Sequence, residues 1–229
     1  MTITTCIFDA YGTLFDVTAA ARQAAAEPGR EALAGCWQKL AADWRAKQLQ
    51  YTWHRALVRE HRSFWLVTQD GLDWALENNG LAEDAELRER LLALYWQLAA
   101  YPEVPAMLSA LKAAGLNTAI LSNGSPDMLA GAVTSAGLGD MLDDVLSVEQ
   151  VGIFKPAPEV YQMVTRRFDC PARHVLFVSS NCWDALAGRG FGFQAVWVNR
   201  DGAPMDRLGH TPRATLPDLV RIPELAREF

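Results

Sequence analysis

Apolar residues fall along this chain in two rhythms. From about residue 100 onward, short runs rich in Val, Ile, Leu and Phe recur at 117–123 (NTAILSN), 142–148, 174–180 (HVLFVSS) and 194–199 (QAVWVN). Short runs of this composition read as strands. Between them, the segments 104–114, 126–136, 158–168 and 183–189 carry the pattern of helices. Strands alternating with helices predict βαβ units and a parallel sheet. One further strand-like run, 4–10 (TTCIFDA), stands far upstream of the others.

The stretch between, 16–98, has a different texture. It is rich in Ala, Leu, Arg, Gln and Glu, lacks strand-like runs, and spaces apolar residues helically, as in Trp37, Leu40, Ala41 and Trp44. The chain therefore reads as α/β: a Rossmann-like core with a parallel sheet (1–15 and 99–229) and an inserted helical cap (16–98). Hinges are expected near 15–17 and 101–105. Six of the eight tryptophans, Trp37, Trp44, Trp53, Trp65, Trp74 and Trp96, lie in the cap. A small bundle cannot bury them all, so an aromatic pocket wall, a subunit interface or both are expected.

Composition narrows the classes. The 229 residues are 50% hydrophobic and 21% charged, as in ordinary globular proteins. A net charge of −6 with scattered Lys and Arg argues against a nucleic-acid surface or an anionic membrane. No apolar stretch is long enough to span a bilayer, and no basic segment leads into an apolar one as in a signal peptide. Cys6, Cys36, Cys170 and Cys182 show no CxxC and no metal-ligand spacing. Free thiols in a reducing cytoplasm are the expectation.

The chemistry gathers at predicted strand ends. The first strand delivers Asp9 to its C-terminal edge, where open α/β sheets keep their ligands. Gly12 allows a tight turn, and the Thr13 hydroxyl can orient the carboxylate. At the second strand end, Ser122 and Asn123 precede a helix beginning near Pro126 and can donate to an anion, while Ser125 reads as an N-cap. Lys155 precedes Pro156, which keeps it out of a helix interior. A lysine aimed at Asp9 would hold that carboxylate ionised, whereas a solvated lysine would have no such role. The fourth strand end crowds Ser179, Ser180, Asn181 and Asp184 together. Asp184 could instead serve only its helix N-terminus.

Together these four segments, DAYGTLFDV, LSNGSP, Lys155-Pro156 with Tyr161, and SSNCWD, resemble the haloacid dehalogenase superfamily, and most closely its L-2-haloacid dehalogenases. The cap run 44–53 (WRAKQLQYTW) is similar too. Phosphatases of the superfamily carry a second aspartate two positions after the nucleophile, and acidic magnesium ligands at the fourth strand end. Here those places hold Tyr11 and Ser179, Ser180 and Asn181. The resemblance implies attack by Asp9 on C2 of an L-2-haloacid, giving an ester and free halide, then hydrolysis to a D-2-hydroxy acid. It implies no cofactor and no metal. Ser122 and the amides after Asp9 (Ala10, Tyr11) would hold the substrate carboxylate, and Thr13 and Lys155 would orient Asp9. Arg45, Asn123, Phe64 and Trp183 would cradle the halide, Ser179, Asn181 and Asp184 would position water, and Tyr161 would support Lys155. Ala46, where relatives often have a longer polar residue, bears on the size of the halide-side pocket. A homodimer is expected from the family's habit. The competing readings are a phosphatase or phosphonate hydrolase on the same fold, and a non-catalytic binding protein using the aromatic cap.

Overall fold

The computed structural model describes residues 2–229. Its centre is β1 (Thr5–Phe8), buried throughout and therefore able to carry Cys6, Ile7 and Phe8 with no polar face. Its neighbours are β2 (Asn117–Ser122) and β4 (Val175–Ser179), with Phe8 in register with Ile120 on one side and Val178 on the other. Adding β3 (Asp144–Ser147), β5 (Gln194–Val198) and β6 (Ala214–Leu216) completes a six-stranded sheet in the order β3-β2-β1-β4-β5-β6. Every pairing is parallel.

The order reverses at β1. The chain runs outward through β2 and β3, then returns to β4 on the other flank, so a crevice opens beyond the carboxyl ends of the central strands. The helices packed around the sheet are α6 (Val104–Ala113), α7 (Pro126–Ser135), α8 (Pro158–Arg167), α9 (Cys182–Phe191) and α10 (Ile222–Glu228). Four of the five have Pro at the first or second position, where its missing N–H costs nothing. β6 and α10 were not anticipated from the sequence, because three and seven residues are too few to build a period.

Between β1 and α6 lie α1 (Ala19–Ala25), α2 (Glu31–Ala34), α3 (Trp37–Val58), α4 (Phe64–Asn78) and α5 (Ala85–Trp96), with no strand among the described residues. The 22-residue α3 packs along α4, and the two backbones approach closely at Gly71, where a Cβ would lie 3.2 Å from the Gln48 amide nitrogen. The two chain connections to this helical segment run side by side: the Asp16 amide donates to Ala99 O (3.0 Å) and the Tyr101 amide to Leu14 O (2.9 Å). Of the six tryptophans here only Trp44 is buried, and Trp53 is exposed. No helix among the described residues is long and apolar enough to cross a membrane.

Candidate active site

Asp9 lies one residue beyond β1, its amide donating to Val178 O (2.9 Å), which fixes the carboxylate at the rim of the sheet. The chain then folds back at Gly12, whose φ of +87° is poorly accessible to other residues. A Cβ there would also meet Ser180 Oγ at 3.0 Å. The turn brings Thr13 beneath Asp9. Its hydroxyl donates to Asp9 Oδ2 (3.0 Å) while accepting from the Ser180 amide (2.8 Å), so the first and fourth strand ends share one hydroxyl.

Lys155 is 1% exposed, and its ammonium bridges Asp9 Oδ1 (3.1 Å) and Asp184 Oδ2 (2.9 Å). Burial acts to lower the lysine pKa, but Asp184 and Asp9 outweigh it and hold the ammonium above its usual value. Asp184 is fully buried, and desolvation pushes its carboxyl up even though Lys155 and Tyr161 draw it down. Tyr161 donates to Asp184 Oδ1 at 2.7 Å. Burial raises the Tyr161 and Tyr11 phenols well above the ordinary tyrosine value, so both stay neutral.

Arg45 reaches this rim from α3. Its Nη2 donates to Tyr11 O (3.2 Å) and to Asn181 Oδ1 (3.2 Å), and its Nη1 to Gln48 Oε1 (2.9 Å). Asn181 in turn donates through Nδ2 to Asp9 Oδ2 (3.0 Å). Its amide is oriented by its partners: an arginine can only donate, so the oxygen faces Arg45 and the NH₂ faces the carboxylate. Asn123 is fixed in the same way. Its oxygen accepts from the Lys155 amide (3.0 Å), leaving its NH₂ for another acceptor. Ser122 Oγ accepts from the Gly124 amide (3.0 Å), which leaves its hydroxyl hydrogen to donate.

These groups enclose a cavity lined by Asp9, Tyr11, Arg45, Leu49, Phe64, Ser122, Asn123, Lys155, Asn181 and Trp183. It measures about 10 Å³, room for one water. A cleft of about 750 Å³ adjoins it and shares Arg45, Leu49, Asn181 and Trp183. The buried indole N–H of Trp183 has no acceptor among the described residues.

The structure joins Asp9, Thr13, Lys155, Asn181 and Arg45 in one hydrogen-bonded network, Arg45 through Asn181, with Ala10 and Tyr11 in the turn. Four expectations change. Tyr161 reaches Lys155 only through Asp184. Asp184 accepts from Lys155 and Tyr161 and lies behind the cavity wall rather than in it, so a purely capping role does not describe it. Ser179 Oγ accepts from the Asn181 amide (3.2 Å), shaping the turn that presents Asn181 rather than lining the cavity. Ala46 is exposed and outside the lining, so it does not set the pocket size. Ser125 occupies the N-cap position of α7 without a side-chain capping bond. Leu49 and Gln48 were missed as site groups; Leu49 stands four residues after Arg45, on the same helix face, and that spacing was the available signal.

The donor set is poor in hard anionic oxygens. No cluster of three or more His, Cys, Asp or Glu among the described residues is arranged to hold a metal ion.

Residues 3–192 match the model of a family described as haloacid dehalogenase-like hydrolase. The chain is 44% identical over 223 residues to (S)-2-haloacid dehalogenase 1 of Pseudomonas sp. (strain CBS-3), covering 97% of this chain and 96% of that one. It superposes on a crystal structure of an L-2-haloacid dehalogenase with a TM-score of 0.93 at 38% identity, covering 99% of both chains. The L-2-haloacid dehalogenase of Xanthobacter autotrophicus, solved with chloropropionic acid covalently bound, gives a TM-score of 0.86 at 35% identity over 98% of each chain.

Proposed function

The chain belongs to the haloacid dehalogenase-like hydrolases, and on that premise we propose that it hydrolyses L-2-haloacids to D-2-hydroxy acids with inversion, through an ester on Asp9. The observation that carries this reading is the Asp9 carboxylate: three donors, Thr13, Asn181 and Lys155, hold it beside a closed cavity. A carboxylate so held is an in-line nucleophile without further activation. Asp9 displaces the halide from C2, forming a C–O bond as the C–X bond breaks and the halide leaves with the bonding pair. Water then attacks the ester carbonyl, restoring Asp9 and releasing the hydroxy acid and one proton.

The Ser122 hydroxyl and the Ala10 and Tyr11 amides hold the substrate carboxylate. Arg45, the Asn123 amide, the Phe64 ring and the unpartnered Trp183 N–H receive the halide, a large anion suited to a guanidinium and aromatic edges. Asn181, presented by Ser179, positions the water, and Asp184 acts on that step through Lys155, with Tyr161 behind it. Residues 16–98 act as a cap that opens, since a cavity for one water cannot admit a haloacid. The four free cysteines fit a cytoplasmic enzyme.

Charge separates this reading from a phosphatase. Asp9, Asp184, Lys155 and Arg45 sum formally to zero, so a haloacid monoanion is far better tolerated than a phosphate dianion, which needs a cation to screen attack by a carboxylate. Dehalogenation should survive exhaustive EDTA treatment, and a Mg²⁺-dependent phosphomonoesterase activity would restore the rival. The direct test is a single turnover of L-2-chloropropionate by excess enzyme in ¹⁸O-water. Label should enter Asp9; label found only in the lactate would mean that water attacks the substrate directly.

A further inference from the structure

Gln48 is a long polar side chain, 1% exposed, in the interior of the helical segment. Burying an amide there is unfavourable unless every hydrogen-bonding group finds a partner, and Leu or Met would fill the volume more cheaply. Its neighbours Lys47 and Gln50 pair with each other at the surface, so helix α3 does not lack places for polar residues. Gln48 has a different setting. Its oxygen accepts from Arg45 Nη1 at 2.9 Å, and its NH₂ donates to Thr68 Oγ1 at 2.8 Å and lies 3.2 Å from the Tyr95 hydroxyl. Thr68 Oγ1 donates onward to Phe64 O at 2.8 Å.

The direction of this relay leaves no freedom. Arg45 can only donate, so Gln48 must present its oxygen to Arg45 and its NH₂ to Thr68. Thr68 must then accept with its oxygen, and its single hydrogen goes to the Phe64 carbonyl. The chain thus starts on a guanidinium at the cavity and ends on the backbone of Phe64, another cavity wall. Trp44 Nε1 donates to Thr68 O (2.8 Å) and ties the same turn of α4 to α3. The contacts of Arg45 to Tyr11 O and Asn181 are both longer, at 3.2 Å, and join it to a different part of the chain. Gln48 is the partner on Arg45's own helix, three residues on, and it travels with Arg45 however the two parts of the chain move.

We propose that Gln48 is a positioning residue for the halide-releasing step: through the Thr68 relay it holds the Arg45 guanidinium aimed at the departing halide. The inference rests on the proposed dehalogenation. A network of this kind supplies orientation in advance, which is what stabilising a developing anion requires. Gln48 touches no reacting atom.

The experiment compares halide release in the first turnover with subsequent ester hydrolysis, using L-2-chloropropionate and the full chain. Gln48→Met keeps the shape and removes the relay. It should slow halide release about 10-fold, the scale of one lost hydrogen bond to a charged group, while ester hydrolysis and KM change little. Combined with Arg45→Ala it should add nothing further, because both changes remove the same function. Thr68→Val breaks the next link at constant volume and should slow the same step in the same direction, which keeps the test open should Gln48→Met fail to fold. Additive effects of Gln48→Met and Arg45→Ala, or equal slowing of both chemical steps, would reduce Gln48 to a packing role and overturn the inference. Absence of halide release from wild-type enzyme would instead remove the dehalogenase reading itself, and this inference with it.

Discussion

Lys155 places one ammonium between two buried carboxylates, and the pairing explains why it stays protonated. Its pKa is raised in the folded protein, so the pair's stabilisation is fully present below the unfolded lysine value, about 10.4, and is lost only as pH climbs through the higher folded value. Thermal melting and kcat/KM should accordingly show no break from this group between about pH 7 and 10; a lysine titration inside that window would contradict the assignment. Lys155→Met leaves Asp9 and Asp184 buried without their cation and should cost about 3 kcal/mol or more by denaturant unfolding, besides abolishing activity. The deficit should shrink toward acid pH, because a carboxyl with a raised folded pKa binds protons more readily folded than unfolded. The placement of Asp9 and Thr13 was legible from one strand end, whereas Lys155 was open to a solvated role that its contact with Asp9 rules out. The true partner of Asp184 was not, since a carboxylate in a first helical turn has an equally good local use and only the tertiary fold decides between them.

Elements were legible where the period was long. The first five strands and the four helices between them follow from apolar runs alternating with helical spacing, whereas β6 and α10 lie in a tail with too few residues to show a rhythm. Packing between elements was illegible, and Gly71 illustrates why. In sequence it is a glycine within a helix, which propensity alone marks as a weakness; in space it is the contact that lets α4 lie against the backbone of α3 at Gln48. Gly71→Ala adds a methyl 3.2 Å from that amide nitrogen and 3.4 Å from Trp44 Cδ1. Backbone cannot retreat alone, so the change should destabilise by about 1–2 kcal/mol despite the better helix propensity of alanine. Denaturant midpoints would reveal a stabilised variant if the helices can part freely. Because Gln48 sits at the same crossing, loss of dehalogenation should exceed what the lost stability explains.

At the scale of the whole molecule, the helical segment leaves Val58 and Leu66 exposed at 62% and 38%, beside partly buried tryptophans. We propose that the helical segment pairs two copies of the chain, and light scattering at micromolar concentration should give about twice the 25.3 kDa of one chain; a monomer would refute it. The same segment delivers Arg45 to the sheet's rim, where it meets the oxygen of Asn181 while the nitrogen of that amide holds Asp9. One planar group thus has one end on each side of the seam. Rotated by half a turn it would set its NH₂ against the guanidinium and its oxygen against the carboxylate, two repulsions in place of two hydrogen bonds. The amide therefore works as an interlock. We propose that with Arg45 drawn back Asn181 keeps only one of the two partners that fix its orientation, while Thr13 and Lys155 still hold Asp9, so the third donor to the nucleophile is fully aligned only when Arg45 is in place.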